Sequence, residues 1–129
     1  MTLVDTGVWI DYFKGRTYPE VVYLSTAIEH DEDICLSGII FTEILQGIIS
    51  EKEYRTVKSY LESLIFLSMP QEAYELAATI YRSARQNGYT IRNTVDCLIA
   101  ACAIFHKVHL LQNDKDYQTI KRFSELKLI

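Results

Sequence analysis

Short apolar bursts alternate with longer amphipathic stretches along this chain, a pattern that predicts strands alternating with helices. Thr2 to Asp5 reads as a buried strand that Asp5 closes. Thr6, a good N-cap residue, opens a helix carrying Val8, Trp9, Tyr12 and Phe13, which Gly15 stops. Pro19 starts a second helix through Val21, Val22, Leu24 and Ile28, and the acidic turn Asp31 to Asp33 leads into a strand, Ile34 to Leu36. Ser37 caps a third helix with Ile40, Ile44 and Ile48 on one stripe, Glu43 at the edge of that buried face and Gly47 near its end. Lys52 to Ile65 reads as a fourth helix, Phe66 to Ser68 as a strand, and Pro70 to Asn87 as a fifth helix ended by Gly88. Thr94 caps a sixth helix running to about His106, apolar around most of its circumference and so packed on several sides. His109 to Leu111 is a strand, Asn113 to Asp116 a turn into a short helix, and Leu126 to Ile129 a final strand that closes an edge.

Strands separated by helices imply an α/β fold with a parallel sheet covered on both faces and right-handed crossovers. Ligands in such folds bind beyond the carboxyl ends of the strands, where strand order reverses. With 129 residues the chain is expected to form one domain, 1–129, able to bury roughly two-thirds of its unfolded surface without a disulfide. A hydrophobic fraction of 49% and a charged fraction of 23%, without repeats or biased tracts, fit a soluble folded protein.

Cys35, Cys97 and Cys102 lie in apolar surroundings and form no CxxC pair, so they read as buried thiols in a reducing cytoplasm. His30, His106 and His109 complete no ligand spacing around them, which argues against zinc. No stretch reaches the about 18 apolar residues of a membrane helix, and Asp5 arrives too early for a signal peptide. The expected location is the cytoplasm. A net charge of −4 ordinarily disfavours nucleic acid, because phosphate contacts supply most of that binding energy. If several acids share one cation-binding pocket, the remaining surface is close to balanced. Arg82, Arg85, Arg92, Lys107, Lys115, Lys121 and Arg122 then either form a basic rim or lie scattered as solvated helix faces.

Asp5, Glu43, Asp96 and Asp114 each sit where an apolar segment meets a turn or opens a helix. Carboxylates pressed against Val4 or between Val95 and Leu98 lose hydration, and pairing or metal coordination restores what is lost. Singly, each has an ordinary explanation as a turn or helix-end residue; together they suggest a cluster of oxygen ligands for Mg²⁺ or Mn²⁺. One or two such ions supply what phosphodiester hydrolysis needs: a nucleophilic water, a stabilised pentavalent phosphorus and a relieved leaving oxygen. Thr6 and Asn113 offer neutral oxygens nearby, with the N-cap role favoured for Thr6, and Asp116 is near enough to Asp114 to share its metal. Asp11, Asp31 and Asp33 are assigned to solvent.

Leu3-Val4-Asp5-Thr6 with Val8-Trp9-Ile10, Thr42-Glu43-Ile44 with Gly47, Asp96-Cys97-Leu98-Ile99-Ala100-Ala101, and Asn113-Asp114-Lys115-Asp116-Tyr117 follow one another in an order that resembles the PIN-domain ribonucleases. Within them the pattern is similar to the VapC-type toxins of toxin–antitoxin pairs. The resemblance spans nearly the whole chain and implies a three-layer α/β/α sandwich around a parallel sheet of about five strands. It also implies a homodimer, a small cognate antitoxin, metal-binding roles for Asp5, Glu43, Asp96 and Asp114, an accessory role for Asp116, and Thr6 as a hydrogen-bonding neighbour. The chain departs from the family at Gln112, where Thr is frequent, and at Tyr117, where Phe is frequent; Gln112 leaves the support of Asp114 open.

The expected activity is therefore metal-dependent cleavage of single-stranded or looped RNA, with Asp5 and Asp96 as principal ligands, Glu43 as ligand or base and Asp114 at a second or substrate-assisted metal. Arg92 and Lys115 are candidates for substrate binding. The alternative is a catalytically inactive PIN-like module that binds RNA or protein. Dehalogenase and receiver folds also place an Asp after the first strand, but Gly7 breaks the DxDx(T/V) pattern of the former and Phe66 to Pro70 holds no phosphoacceptor for the latter. No GxGxxG follows Asp5, which disfavours a dinucleotide site. Ile39, Ile40, Ile44, Ile48 and Ile49 offer more apolar surface than one helix stripe needs, as core packing, a dimer seam or an antitoxin groove. An antitoxin is expected to lay a basic side chain among the acids.

Overall fold

The computed structural model describes residues 1–129 and contains four strands, β1 Thr2–Val4, β2 Ile34–Ser37, β3 Ile65–Leu67 and β4 His109–Leu111. They form one parallel sheet in the order β3-β2-β1-β4. Leu3 pairs with Cys35 on one side and Leu110 on the other, and Leu36 pairs with Phe66. Leu3, Val4, Cys35, Leu36 and Leu110 are all buried, as expected where helices cover both faces of a parallel sheet.

The helices are α1 Thr6–Phe13, α2 Pro19–Glu29, α3 Gly38–Gln46, α4 Glu51–Glu62, α5 Gln71–Gln86, α6 Thr94–Phe105 and α7 Asp116–Arg122. The chain steps from β1 outward through β2 to β3, then returns past β1 to β4. With right-handed crossovers the outward steps put α1 to α4 on one face, and the return puts α5 and α6 on the other. The reversal falls between β1 and β4, so the loops after Val4 and Leu111 flank the crevice where such folds bind ligands. Asp5 and Asp114 lie on those two loops. Helix α6 packs against α3, α5, α7 and β4, and its Cys97, Ile99, Ala100, Ala101, Cys102 and Ala103 are buried. That is the many-sided packing its apolar circumference predicts.

The sheet has four strands rather than about five. The expected final strand is reduced to a single parallel bridge from Leu128 to Leu110, with hydrogen bonds from the Leu110 N–H to the Lys127 carbonyl at 2.9 Å and from the Ile129 N–H to the Leu110 carbonyl at 3.1 Å. Leu126 is buried and lines a cleft with Ala103 and Ile104 of α6. Two caps also shift by one residue. Asp5 and Asn93, not Thr6 and Thr94, occupy the N-cap positions, and the Asn93 side chain accepts from the Val95 N–H at 3.0 Å. Gly88, in the left-handed region with φ 82°, follows α5 as expected of a terminating glycine.

Trp9 is fully buried against Tyr12, Phe13 and Tyr60, an aromatic cluster that anchors α1 and with it the loop carrying Asp5. The three cysteines are free and buried, and burial pushes the Cys97 and Cys102 thiols up to about 11, so they stay protonated. No helix is long and apolar enough to cross a membrane.

Candidate active site

Asp96, Asp114 and Asp116 converge at the carboxyl end of the sheet, each offering an oxygen within 4.8 Å of the others. Three different elements deliver them. Asp96 lies in the first turn of α6, behind the Asn93 cap. Asp114 follows β4, and its backbone N–H donates to Gln112 Oε1 at 2.7 Å. Gln112 therefore does support the Asp114 loop, answering the question its replacement of Thr raises. Asp116 opens α7, is 7% exposed, and donates its N–H to Asp114 Oδ1 at 2.9 Å.

Asp5 joins this group through Tyr117. The phenol donates to Asp5 Oδ1 at 2.9 Å and lies 3.4 Å from Asp96 Oδ1. It has one proton to give, so the longer contact becomes a hydrogen bond only when Asp96 is itself protonated and donates to the phenol oxygen. Burial, with Asp5 and Asp96 alongside, holds the Tyr117 hydroxyl far above the ordinary phenol range, which makes it a permanent donor. Glu43 stands one step further out, its Oε1 accepting from the Thr6 hydroxyl at 2.7 Å. Thr6 thus serves Glu43 and does not cap α1, as its residue type had suggested.

Packing these acids together has an electrostatic cost. Burial, followed by the charges of Glu43 and Asp114, pushes Asp5 from the ordinary 3.8 to about 6, although bonds from Tyr117 and the Thr6 backbone oppose it. Asp96 rises to about 7 through burial, then the charges of Asp5, Asp114 and Asp116, despite the favourable dipole of α6. Like charges brought this close are what a bound cation relieves. The convergent donors are carboxylate oxygens, a hard set that fits Mg²⁺ or Mn²⁺ and suits softer metals poorly.

The PIN-domain family model matches residues 2–123. The chain belongs to the PIN-domain family. A VapC ribonuclease of Mycobacterium bovis is 33% identical over 128 residues, covering 98% of this chain and 96% of that protein. Ribonuclease VapC1 of Methanocaldococcus jannaschii is 29% identical, with 94% and 82% covered. Among solved structures, VapBC-1 from nontypeable Haemophilus influenzae aligns with a TM-score of 0.76 at 18% identity, covering 99% of this chain and 96% of that one. VapBC2 from Rickettsia felis, bound to a DNA fragment from its promoter, aligns with a TM-score of 0.75 at 21% identity and the same coverage.

Around the PIN-domain acids, three residues matter more than their sequence context suggests. Tyr117 supplies the hydroxyl between Asp5 and Asp96. Arg92 pairs with Asp114 and Asp116. Asp11, assigned to solvent, is 7% exposed and accepts from Asn113 Nδ2 at 3.1 Å and Arg16 Nη1 at 2.6 Å. A signal for Asp11 did exist: it lies four residues after Gly7 on the same helix face. A Cβ at Gly7 would sit 2.5 Å from Asn113 Oδ1, so only glycine lets Asn113 lie against α1 beside Asp114. Gly7→Ala is expected to leave the melting temperature nearly unchanged, because Asn113 is exposed and alanine favours helix by up to about 1 kcal/mol. Displacing Asn113 should still lower RNA cleavage about tenfold, as loss of an outer hydrogen bond does at metal sites. Thermal melts beside cleavage rates check this.

The basic side chains do not all gather at the acids. Lys107 and Lys121 line a cleft with Lys127 next to the start of β4, the end of the sheet away from the acids. Arg122 stacks on the Tyr89 ring at 4.8 Å. Arg92 and Lys115 remain beside the cluster, both exposed. Ile40 and Ile44 are core, whereas Ile48 is half-buried and Ile49 is 100% exposed. Ile44, Ile48 and Ile49, with Ile10, Phe13 and Val57, line a groove of about 670 Å³ between α1, α3 and α4 that has Lys14 and Glu53 on its border.

Proposed function

We propose that this PIN domain is a metal-dependent endoribonuclease acting as a VapC-type toxin in the cytoplasm, inhibited by a small antitoxin. The carrying observation is the convergence of Asp96, Asp114 and Asp116, with Asp5 tied in through Tyr117. Asp5, Glu43, Asp96 and Asp114 would hold Mg²⁺ or Mn²⁺, with Asp116 beside them. When bound, such a cation activates water and offsets the charge that develops on the phosphate. Thr6 fixes one oxygen of Glu43, leaving the other to accept a proton from the attacking water. The Tyr117 hydroxyl holds Asp5 in one orientation, and Thr6, Asn113 and Gln112 set the loops on either side. Lys115 and the unbonded N–H groups of Arg92 lie at the rim, where the backbone of single-stranded or looped RNA would approach.

Incubating the purified chain with pooled RNA and Mg²⁺ or Mn²⁺, beside a chelator control, tests this reading. Internal cleavage that requires the cation supports it. RNA left intact with both ions overturns it.

The groove between α1, α3 and α4 suits an apolar helix of the antitoxin, and the structural relatives are VapBC assemblies. Ile49 is fully exposed, so Ile49→Glu should leave the fold intact while weakening the antitoxin complex by about tenfold or more. Titration calorimetry with the cognate antitoxin measures this. A second apolar face supports the homodimer: Phe66 of edge strand β3 is 60% exposed and Tyr74 of α5 is 51% exposed, with Ile39 and Met69 beside them.

A further inference from the structure

Arg92 reaches from the loop before α6 across the mouth of the acidic cluster. Its Nε donates to Asp116 Oδ2 at 3.1 Å, and its Nη2 donates to Asp114 Oδ1 at 3.0 Å. Its backbone N–H, at 3.3 Å, also reaches Asp116 Oδ2, and the Asp116 N–H already occupies Asp114 Oδ1. One oxygen of each carboxylate therefore has two donors, which uses both of its lone pairs. A single oxygen is left on Asp114 and on Asp116, whose carboxylates converge with that of Asp96. Carboxylates reduced to one free oxygen can share one ion, whereas the bridge that spans a pair of ions with both carboxylate oxygens is closed to them.

Asp116 is only 7% exposed, so its charge needs a permanent counter-charge. A guanidinium is charged at every working pH, and its planar fork matches the two carboxylate edges it meets here. We propose that Arg92 is a resident cation of the cluster, occupying carboxylate oxygens that a second divalent ion would need. The site then takes one ion, and Asp116 acts as a positioning residue that holds Arg92 in place. The inference rests on the metal-dependent ribonuclease reading and deepens it by fixing the number of ions.

Mn²⁺ titration of the purified, antitoxin-free chain reads the stoichiometry without turnover, from the paramagnetic resonance signal of free Mn²⁺ and from calorimetry. One Mn²⁺ per chain is expected for the wild type and for Arg92→Lys, which keeps the charge. Arg92→Gln, which removes it, is expected to bind two. Wild-type protein that binds two ions overturns the inference with no variant needed, so a variant that fails to fold does not shelter it. Folded Arg92→Gln that still binds one ion at unchanged affinity overturns it as well. Two ions with intact cleavage defeat this inference alone, whereas no bound Mn²⁺ and no cleavage defeat the ribonuclease reading with it.

Discussion

Asp5→Asn and Asp96→Asn proteins are expected to cleave RNA on the order of 10³-fold more slowly than the wild type, the scale of loss when a group that acts directly on the reacting centre is removed. Without added metal, the same proteins should be more stable than the wild type at pH 8. Asp5 is 6% exposed and pushed up to about 6, so its ionised form is disfavoured in the fold. Asparagine has nearly the same shape, and its Oδ1 can keep the bond from Tyr117. A shift of about two pKa units corresponds to about 3 kcal/mol, and burying the neutral amide offsets part of it, leaving a gain of about 1–3 kcal/mol. Chelator-treated protein melted beside RNA-cleavage rates checks both halves. Loss of activity with loss of stability would assign Asp5 a packing role, and full activity would remove it from the site.

Acidification should have the second largest effect. Asp5 titrates near 6 and Asp96 near 7, and both must be ionised to hold a cation. Apparent metal affinity should fall about tenfold per pH unit below 7 and about a hundredfold per unit below 6, as a second proton has to leave. Cleavage at limiting Mg²⁺ should follow this course, and saturating Mg²⁺ should move the fall to lower pH. Metal-free stability runs the other way. Both folded pKa values lie above the ordinary 3.8, so the stability these groups contribute is fully present below about pH 4 and is lost as pH rises through 6 and 7. Metal added at pH 8 should restore it, and melting curves across pH with and without Mg²⁺ follow both trends.

Much of the architecture is legible in the sequence because buried parallel strands are compact apolar runs. Leu3-Val4, Ile34 to Leu36 and His109 to Leu111 all lie within strands of the sheet. Strand β3 is displaced by one residue from its expected place, since its Ile65 and Phe66 are both exposed at the sheet edge and give no alternation to fix the register. Neighbouring cap-competent residues, Asp5 with Thr6 and Asn93 with Thr94, cannot be told apart locally. At the first pair the Thr6 hydroxyl goes instead to Glu43, a contact across 37 residues. The acids were visible as charges at element ends. What links them was not, because the Tyr117 hydroxyl reaches Asp5 across 112 residues and the partners of Arg92 lie 22 and 24 residues away.

The central claim is that distant acids fold into one cation-holding cup, and anomalous diffraction from crystals soaked in Mn²⁺ tests it most directly. The account predicts an anomalous peak among the carboxylates of Asp96, Asp114 and Asp116, on the side facing Asp5. Manganese bound elsewhere on the chain, with these four side chains free of it, would contradict the account.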